Sequence, residues 1–349
     1  MKIEIAGRPI GPDHPPFVIA EMSGNHNKSL GRALAIVEAA AAAGAHAIKL
    51  QTYTADTMTL NVRGGSFEIS DPDSLWAGQN LHDLYKKAYT PWEWHGPIME
   101  RACELGLICF SSPFDETAVD FLEDLGVPAY KIASFENNHL PLIAKAASTG
   151  KPLIISTGMA TLGELDDAVH TACEAGCTEL VLLKCTSTYP ANPENTNIRT
   201  IPHLRQLFGC EVGLSDHTMG VGVSIAAVSL GATVIEKHFT LARADGGVDS
   251  AFSLEPSELS ALVLETERAW QALGEVRYGP TEAEKESLVF RRSIYIAEDI
   301  AEGELFTTEN LKVVRPGDGA PPNLYPMLLG RTARRSHKRG QPITMTTII

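Results

Sequence analysis

Eight short apolar runs, each followed by a stretch of helix-forming residues, constrain this chain more than any other feature. The runs fall at residues 17–21, 47–52, 107–113, 129–134, 152–157, 179–185, 211–217 and 233–239. They are continuously apolar rather than alternating, the pattern of strands covered on both faces. Between them, segments such as 32–43, 118–125, 162–175 and 220–230 are rich in Ala, Leu and Glu, which favour helix. Eight β-then-α units predict a closed parallel (β/α)8 TIM barrel. The competing arrangement is an open doubly wound sheet, but no GxGxxG follows an early run. The gap between the second and third runs, 53–106, contains Trp76, Trp92 and Trp94. It is too long for a plain crossover and predicts an insertion over the mouth of the barrel.

A barrel of this kind needs about 250 residues, and the chain has 349. Residues 257–273 have the spacing of an amphipathic helix, and composition changes at Tyr278-Gly279-Pro280-Thr281. From about Phe290 the pattern is one of short strands and turns, at 293–296, 303–306, 311–314 and 341–349. These features predict a barrel domain over 1–280, a linker near 275–289 and a small domain over 290–349. A domain of about 60 residues has a thin core and gains from a partner surface.

The net charge is −14 and the pI is about 5.2. A nucleic-acid binder would carry a basic stripe. The basic cluster of Arg331, Arg334, Arg335, Lys338 and Arg339 reads as a solvated face. No apolar stretch approaches the roughly 20 residues that span a bilayer, and the first residues lack a signal-peptide core. The six cysteines form no CxxC pair, which suits reduced thiols in a cytoplasm.

Polar residues collect where the apolar runs end, and the C-terminal strand ends of such a barrel carry its active site. They are Glu21, Lys49 and Gln51, Ser111 and Ser112, Lys131 and Ser134, Ser156, Ser187 and Tyr189, Ser215 and His217, and Glu236 and His238. Side chains two apart share a strand face, so Lys49 points with Gln51, Ser215 with His217, and Glu236 with His238. The two histidines end consecutive strands and can converge on one ion; neutral imidazoles suit Mn, Co, Zn or Fe. The plainer reading is two hydrogen-bonded core histidines. Lys49 and Lys131 can hold a phosphate or carboxylate. A Schiff-base nucleophile and a lysine snorkelling from the rim are the alternatives. Glu21 suits a general base or a sugar ligand. Asp249, in Gly246-Gly247-Val248-Asp249, is equally a turn former.

Beyond these features, the chain resembles the sialic-acid synthase family. Glu21-Met22-Ser23-Gly24-Asn25-His26-Asn27, Lys49-Leu50-Gln51-Thr52, Ser111-Ser112-Pro113-Phe114, Tyr130-Lys131-Ile132-Ala133-Ser134 and Ser156-Thr157-Gly158-Met159 carry the likeness. Cys185-Thr186-Ser187-Thr188-Tyr189-Pro190, Ser215-Asp216-His217-Thr218 and Glu236-Lys237-His238-Phe239 continue it in order. Arg292-Ser293-Ile294 and Val314-Arg315-Pro316-Gly317-Asp318-Gly319 resemble that family's SAF, or antifreeze-like, domain. The opening motif and Ser187-Thr188-Tyr189 are most similar to the pseudaminic-acid branch.

The resemblance implies a cytoplasmic transferase that joins phosphoenolpyruvate to an amino-sugar aldehyde, with phosphate leaving by C–O cleavage. It implies a divalent metal (Mn, Co or Mg) on His217 and His238. Lys49, Ser112, Lys131, Ser134, Ser156, Ser187 and Ser215 would hold phosphoenolpyruvate. Glu21, Gln51, Glu136, Tyr189 and Asp249 would face the sugar or the metal-bound water. Arg315 would come from the partner's SAF domain in a domain-swapped homodimer. Neuraminate or legionaminate synthesis and a Schiff-base lyase on the same barrel are the rival activities. Ice binding would need a regular threonine array, which residues 290–349 lack.

Overall fold

The computed structural model describes residues 3–72 and 74–344. The chain divides into two compact units, Met1–Gly274 and Glu275–Ile349.

The first unit opens with a hairpin, β1 (Ile3–Ile5) and β2 (Arg8–Ile10). Eight parallel strands follow: β3 (Phe17–Glu21), β4 (Ala47–Thr52), β5 (Ile108–Pro113), β6 (Tyr130–Ile132), β7 (Leu153–Ser156), β8 (Leu180–Cys185), β9 (Glu211–Ser215) and β10 (Val234–His238). They pair in chain order, and β10 returns to β3, closing the barrel. Each strand matches one of the eight apolar runs to within a few residues.

Parity sorts the strand residues into two cores. Val18, Ala20, Ile48, Leu50, Tyr130 and Ile132 point outward and pack with helix residues such as Ile36, Val37, Leu142 and Ile143. Phe17, Ile19, Ala47, Phe110, Ile154 and Val234 point inward and pack with Ile3, Ile5 and Ile10 of the hairpin. The hairpin thus closes the N-terminal end of the barrel. Period-two alternation of fully buried strands produces this division, leaving the opposite end for polar groups.

The segment between β4 and β5 holds the crossover helix His95–Glu104 and, before it, the expected insertion with short helices Ala55–Met58 and Leu81–Ala88. The amphipathic pattern at 257–273 becomes the helix Pro256–Leu273, closed at its start by a reciprocal Glu255–Glu258 capping box.

In the second unit β11 (Ser293–Ile296) pairs antiparallel with β12 (Leu311–Val314). They cover a small core of Ile294, Ile296, Ile300, Phe306, Leu311 and Ile343. The run at 303–306 does not form a strand. Gly303 turns the chain at φ +89, and only Leu305 makes a single bridge, to Thr332. Of the strand expected over 341–349, Pro342 bridges Tyr295, and residues 345–349 lie outside the described residues. Arg315 follows β12 and is exposed.

Candidate active site

The C-terminal end of the barrel encloses a cavity of about 630 Å³. Its floor is built from inward-facing residues at the strand ends. Glu21 ends β3, Lys49 lies on β4, Lys131 on β6 and Glu236 on β10, and all four are buried. They alternate in sign. Lys49 Nζ is 2.5 Å from Glu21 Oε2 and 3.7 Å from Glu236 Oε2, and Lys131 Nζ is 3.0 Å from Glu236 Oε1. Ser215 Oγ donates to Glu236 Oε1 at 2.9 Å, and Lys49 Nζ donates to Ser112 Oγ at 3.2 Å.

This arrangement separates the two carboxyls chemically. Burial alone raises both, because it disfavours the charged form. For Glu236, Lys131 and Lys49 outweigh burial and hold the carboxyl far below its ordinary range. For Glu21, burial outweighs Lys49 and lifts the carboxyl to about 7. Neither Glu21 oxygen accepts an aligned hydrogen bond, although Lys49 lies close as an ion pair.

Above the floor stand the two histidines. His238 ends β10, and His217 lies two residues beyond β9. Their ring centroids are 5.3 Å apart. His217 Nδ1 is 2.9 Å from the Thr186 carbonyl oxygen. Donation to that carbonyl leaves Nε2 with its lone pair free. His238 Nδ1 is buried without a hydrogen-bond partner, 3.9 Å from Asp249 Oδ2. Burial, reinforced by His217, keeps His238 neutral. Asp249 in turn accepts from Ser23 Oγ. Among the described residues no group of three or more His, Cys, Asp or Glu side chains is arranged to hold a metal ion.

Three loops converge on one rim of the cavity. Ser187 Oγ donates to Ser134 Oγ at 2.7 Å, and Gly158 sits against both. A Cβ at Gly158 would lie 2.6 Å from Ser134 Cβ, and its φ is +49, so the approach requires glycine. Ser156 Oγ and Glu136 Oε2 are buried with no partner, and buried polar groups left open inside a cavity mark places for a ligand. Burial raises Glu136 to about 7.

The far wall is of a different character. Tyr53, Met58, Ile69, Leu75, Trp76, Leu81, Leu84 and Tyr85 of the insertion line it, with Asp71 and Ser74 the polar residues among them. Trp76 Nε1 donates to the Val248 carbonyl at 3.0 Å, tying the insertion to the loop after β10. Tyr189 lies 6.0 Å from Trp76 and 4.4 Å from His217, centroid to centroid. Phe252 packs 4.9 Å from His238.

The cavity therefore gathers Glu21, Lys49, Gln51, Lys131, Ser134, Glu136, Ser156, Ser187, Tyr189, Ser215, His217, His238 and Asp249. Ser112, level with Gln51 on the neighbouring strand, is buried and does not line the cavity, but Lys49 donates to its hydroxyl. Arg315 belongs to the other unit. Sequence reasoning gave no role to Glu236, although it shares the inward parity of His238. Cys185, whose place in an apolar run suits core packing, also lines the cavity, and the His217 imidazole beside it (Sγ to Nδ1, 4.0 Å) draws its thiol down to about 7 against the effect of burial. The apolar wall gave no signal apart from Trp76.

Comparison with known proteins places this geometry. The NeuB family model matches residues 36–278, and the SAF domain model matches 291–349. A pseudaminic acid synthase of Campylobacter jejuni is 45% identical over 95% of this chain and 96% of its own length. An N,N'-diacetyllegionaminic acid synthase of the same species is 35% identical over 94% and 98%. The crystal structure of an N-acetylneuraminic acid synthetase from Leptospira borgpetersenii, in complex with citrate, superposes with a TM-score of 0.73 at 32% identity. It covers 82% of this chain and 95% of that one. With a barrel whose strand ends hold this cavity, and with matches that run nearly end to end, the chain belongs to the NeuB family and ends in a SAF domain.

Proposed function

We propose that this chain is a pseudaminic acid synthase. It condenses phosphoenolpyruvate with 2,4-diacetamido-2,4,6-trideoxy-L-altrose and water, giving pseudaminic acid and phosphate. One observation carries the reading: a single cavity combines a floor of two lysines, alternating with two glutamates, with two adjacent histidines above it. The 45% identity to a pseudaminic acid synthase supports the choice of sugar. So does the apolar insertion wall, which suits a sugar bearing a methyl at C6 and two acetamido groups better than a polyhydroxyl tail.

On this reading Lys49 and Lys131 hold the phosphate and carboxylate, assisted by Ser134, Ser156, Ser187 and Ser215. Ser112 orients Lys49. Fixed donors of this kind stabilise charge where it develops on the departing phosphate. C3 of phosphoenolpyruvate attacks the aldehyde carbon, and the aldehyde oxygen takes a proton. Water adds at C2 and gives up a proton. The C2–O bond to phosphate then breaks, the remaining hydroxyl proton passes to the departing phosphate, and the oxygen of water remains as the ketone. Glu21, with a carboxyl near 7, exchanges a proton at neutral pH, as a general base must. Gln51, Glu136, Tyr189 and Asp249 face the sugar.

Two adjacent imidazoles, one of them (His238) with an orphaned buried nitrogen, fit a divalent ion of the Mn, Co or Mg type completed by water and substrate. Such an ion would supply Lewis acidity toward the aldehyde oxygen. We further assign 1–280 to the synthase barrel and 290–349 to the SAF domain, joined near 275–289. Arg315 would reach a sugar acetamido group in the other copy of a domain-swapped, cytoplasmic homodimer.

Phosphate release from phosphoenolpyruvate, measured against a panel of 6-deoxy and 6-hydroxy amino sugars, tests the reading. The altrose derivative should be preferred, and His217→Ala or His238→Ala should abolish both turnover and Mn2+ binding while the fold persists. Preference for a mannose-type sugar would move the enzyme to another branch. A lysine adduct trapped by borohydride with pyruvate would replace the mechanism.

A further inference from the structure

We propose that Asp216 and Lys237 are positioning residues that fix the spacing of His217 and His238 and so set the affinity of the site for a divalent cation. The inference rests on the two-histidine reading above.

Each of the pair sits between two cavity residues: Asp216 between Ser215 and His217, Lys237 between Glu236 and His238. Alternation turns both away from the cavity, into the layer between barrel and helices. There Lys237 Nζ meets Asp216 Oδ2 at 2.9 Å, with side chains 1% and 0% exposed. This pair is more deeply buried than the ion pairs of the cavity floor, yet it touches no reacting group.

Its place in the backbone explains it. The pairing of β9 with β10 ends at Ser215 opposite Glu236, and one further bond runs from Asp216 N to the Glu236 carbonyl at 2.9 Å. His217 lies past that point, where the β9–β10 ladder no longer holds the chain and one backbone bond remains, from Ala191 N to the His217 carbonyl at 2.9 Å. Side chains add the rest. Asp216 Oδ1 accepts from Thr218 N at 2.9 Å and from Thr218 Oγ1 at 2.8 Å. Lys237 Nζ donates to the Thr218 carbonyl at 2.7 Å. Residue 218 is thus gripped at its N–H by a side chain of the segment leaving β9 and at its C=O by a side chain of β10. Ser224 Oγ, on the helix Gly222–Ser229, completes the clamp by donating to Asp216 Oδ2 at 2.7 Å.

The energetics favour a positioning role over simple cohesion. Removing two charges from water is costly, and an apolar pair of equal volume often stabilises a core as well or better. An apolar pair could not make directional bonds to the backbone beyond the end of a ladder. The clamp does so at the N–H and the C=O of the residue that follows one histidine, while its lysine adjoins the other. Groups that orient metal ligands from behind govern affinity in this way.

The test titrates the full-length protein with Mn2+ alone, free ion being read by electron paramagnetic resonance, alongside steady-state kinetics. Lys237→Met and Asp216→Asn should each weaken Mn2+ binding by about 10- to 100-fold. They should lower kcat while the KM for phosphoenolpyruvate stays within about two-fold. Ser224→Ala removes one bond without stranding a charge. It should fold normally and weaken Mn2+ binding several-fold, which keeps the test decisive if the charge variants do not fold. Folded variants with lowered melting temperatures but unchanged Mn2+ affinity and kcat would show the pair to be structural only and overturn the inference. Wild-type protein that binds no Mn2+ would instead bring down the two-histidine reading, and this inference with it.

Discussion

Replacing Lys131 with methionine tests the charge arrangement of the cavity floor most directly. Lys131 Nζ lies 3.0 Å from Glu236 Oε1, and both side chains are buried. Methionine keeps most of the volume and removes the cation. Glu236 would retain the Ser215 hydroxyl at 2.9 Å and Lys49 at 3.7 Å. Breaking one side of a buried ion pair costs about 3–5 kcal/mol, because it leaves an uncompensated buried charge. The remaining Lys49 contact places the expected loss near the lower end, about 3 kcal/mol. Adding Glu236→Gln removes the stranded charge, so the double variant should recover most of that loss. A second effect is separable. Losing a charge-assisted contact to phosphate costs about 1.5–3 kcal/mol, or roughly 10- to 100-fold in the phosphoenolpyruvate KM. This second loss should persist in the double variant. Urea unfolding of ligand-free protein at pH 7 reads the first effect, and phosphate release against phosphoenolpyruvate concentration reads the second. A double variant as unstable as the single one, or an unchanged KM, would refute the reasoning.

Two further outcomes follow from the same geometry. Burial raises the Glu136 carboxyl from 4.5 to about 7, so its neutral form is favoured by folding; that contribution is complete below the unfolded value and is lost as pH rises through the folded one. Glu136→Gln should therefore stabilise the protein at pH 8 by at most about 3 kcal/mol and leave it unchanged at pH 4, and equal effects at both values in thermal melts would contradict the burial argument. For Arg315, mixing His217→Ala protein with Arg315→Ala protein under subunit exchange should restore activity, to at most about half per mixed dimer, if the SAF domain acts in trans; no recovery would place Arg315 in cis.

What could be read in advance depended on how locally each feature is encoded. The barrel strands were legible because their residues are buried on both faces, and short continuous apolar runs such as 180–183, repeated eight times between helix-like segments, suit strands of that kind. Inward parity likewise put Lys49 with Gln51 and Glu236 with His238 on one face. The role of Glu236 was not legible, because its partners Lys49 and Lys131 come from strands far away in the chain and no spacing rule links them. The N-terminal hairpin was missed for a different reason. Its strands are three residues long, and only the depth of the barrel end beneath them makes Ile3, Ile5 and Ile10 core residues. The strand expected at 303–306 gave way to a glycine turn, since a short apolar stretch in a small domain cannot outvote a residue that favours positive φ.

The same distinction separates the chemistry from the specificity of the site. The reacting groups project from strand ends with a period of two, so they announce themselves in a single sequence. The wall proposed to meet the sugar comes from the insertion, where Tyr53, Met58, Ile69, Leu75, Trp76 and Tyr85 face the cavity with no common period. Their convergence depends on tertiary ties such as the bond from Trp76 to the Val248 carbonyl. Insertion loops are free to vary without disturbing the barrel beneath them. On the proposed reading, the lysines and glutamates of the floor and the histidines above it carry one reaction while the wall selects among sugars. Exchanging wall residues should accordingly shift sugar preference while leaving the phosphoenolpyruvate KM in place.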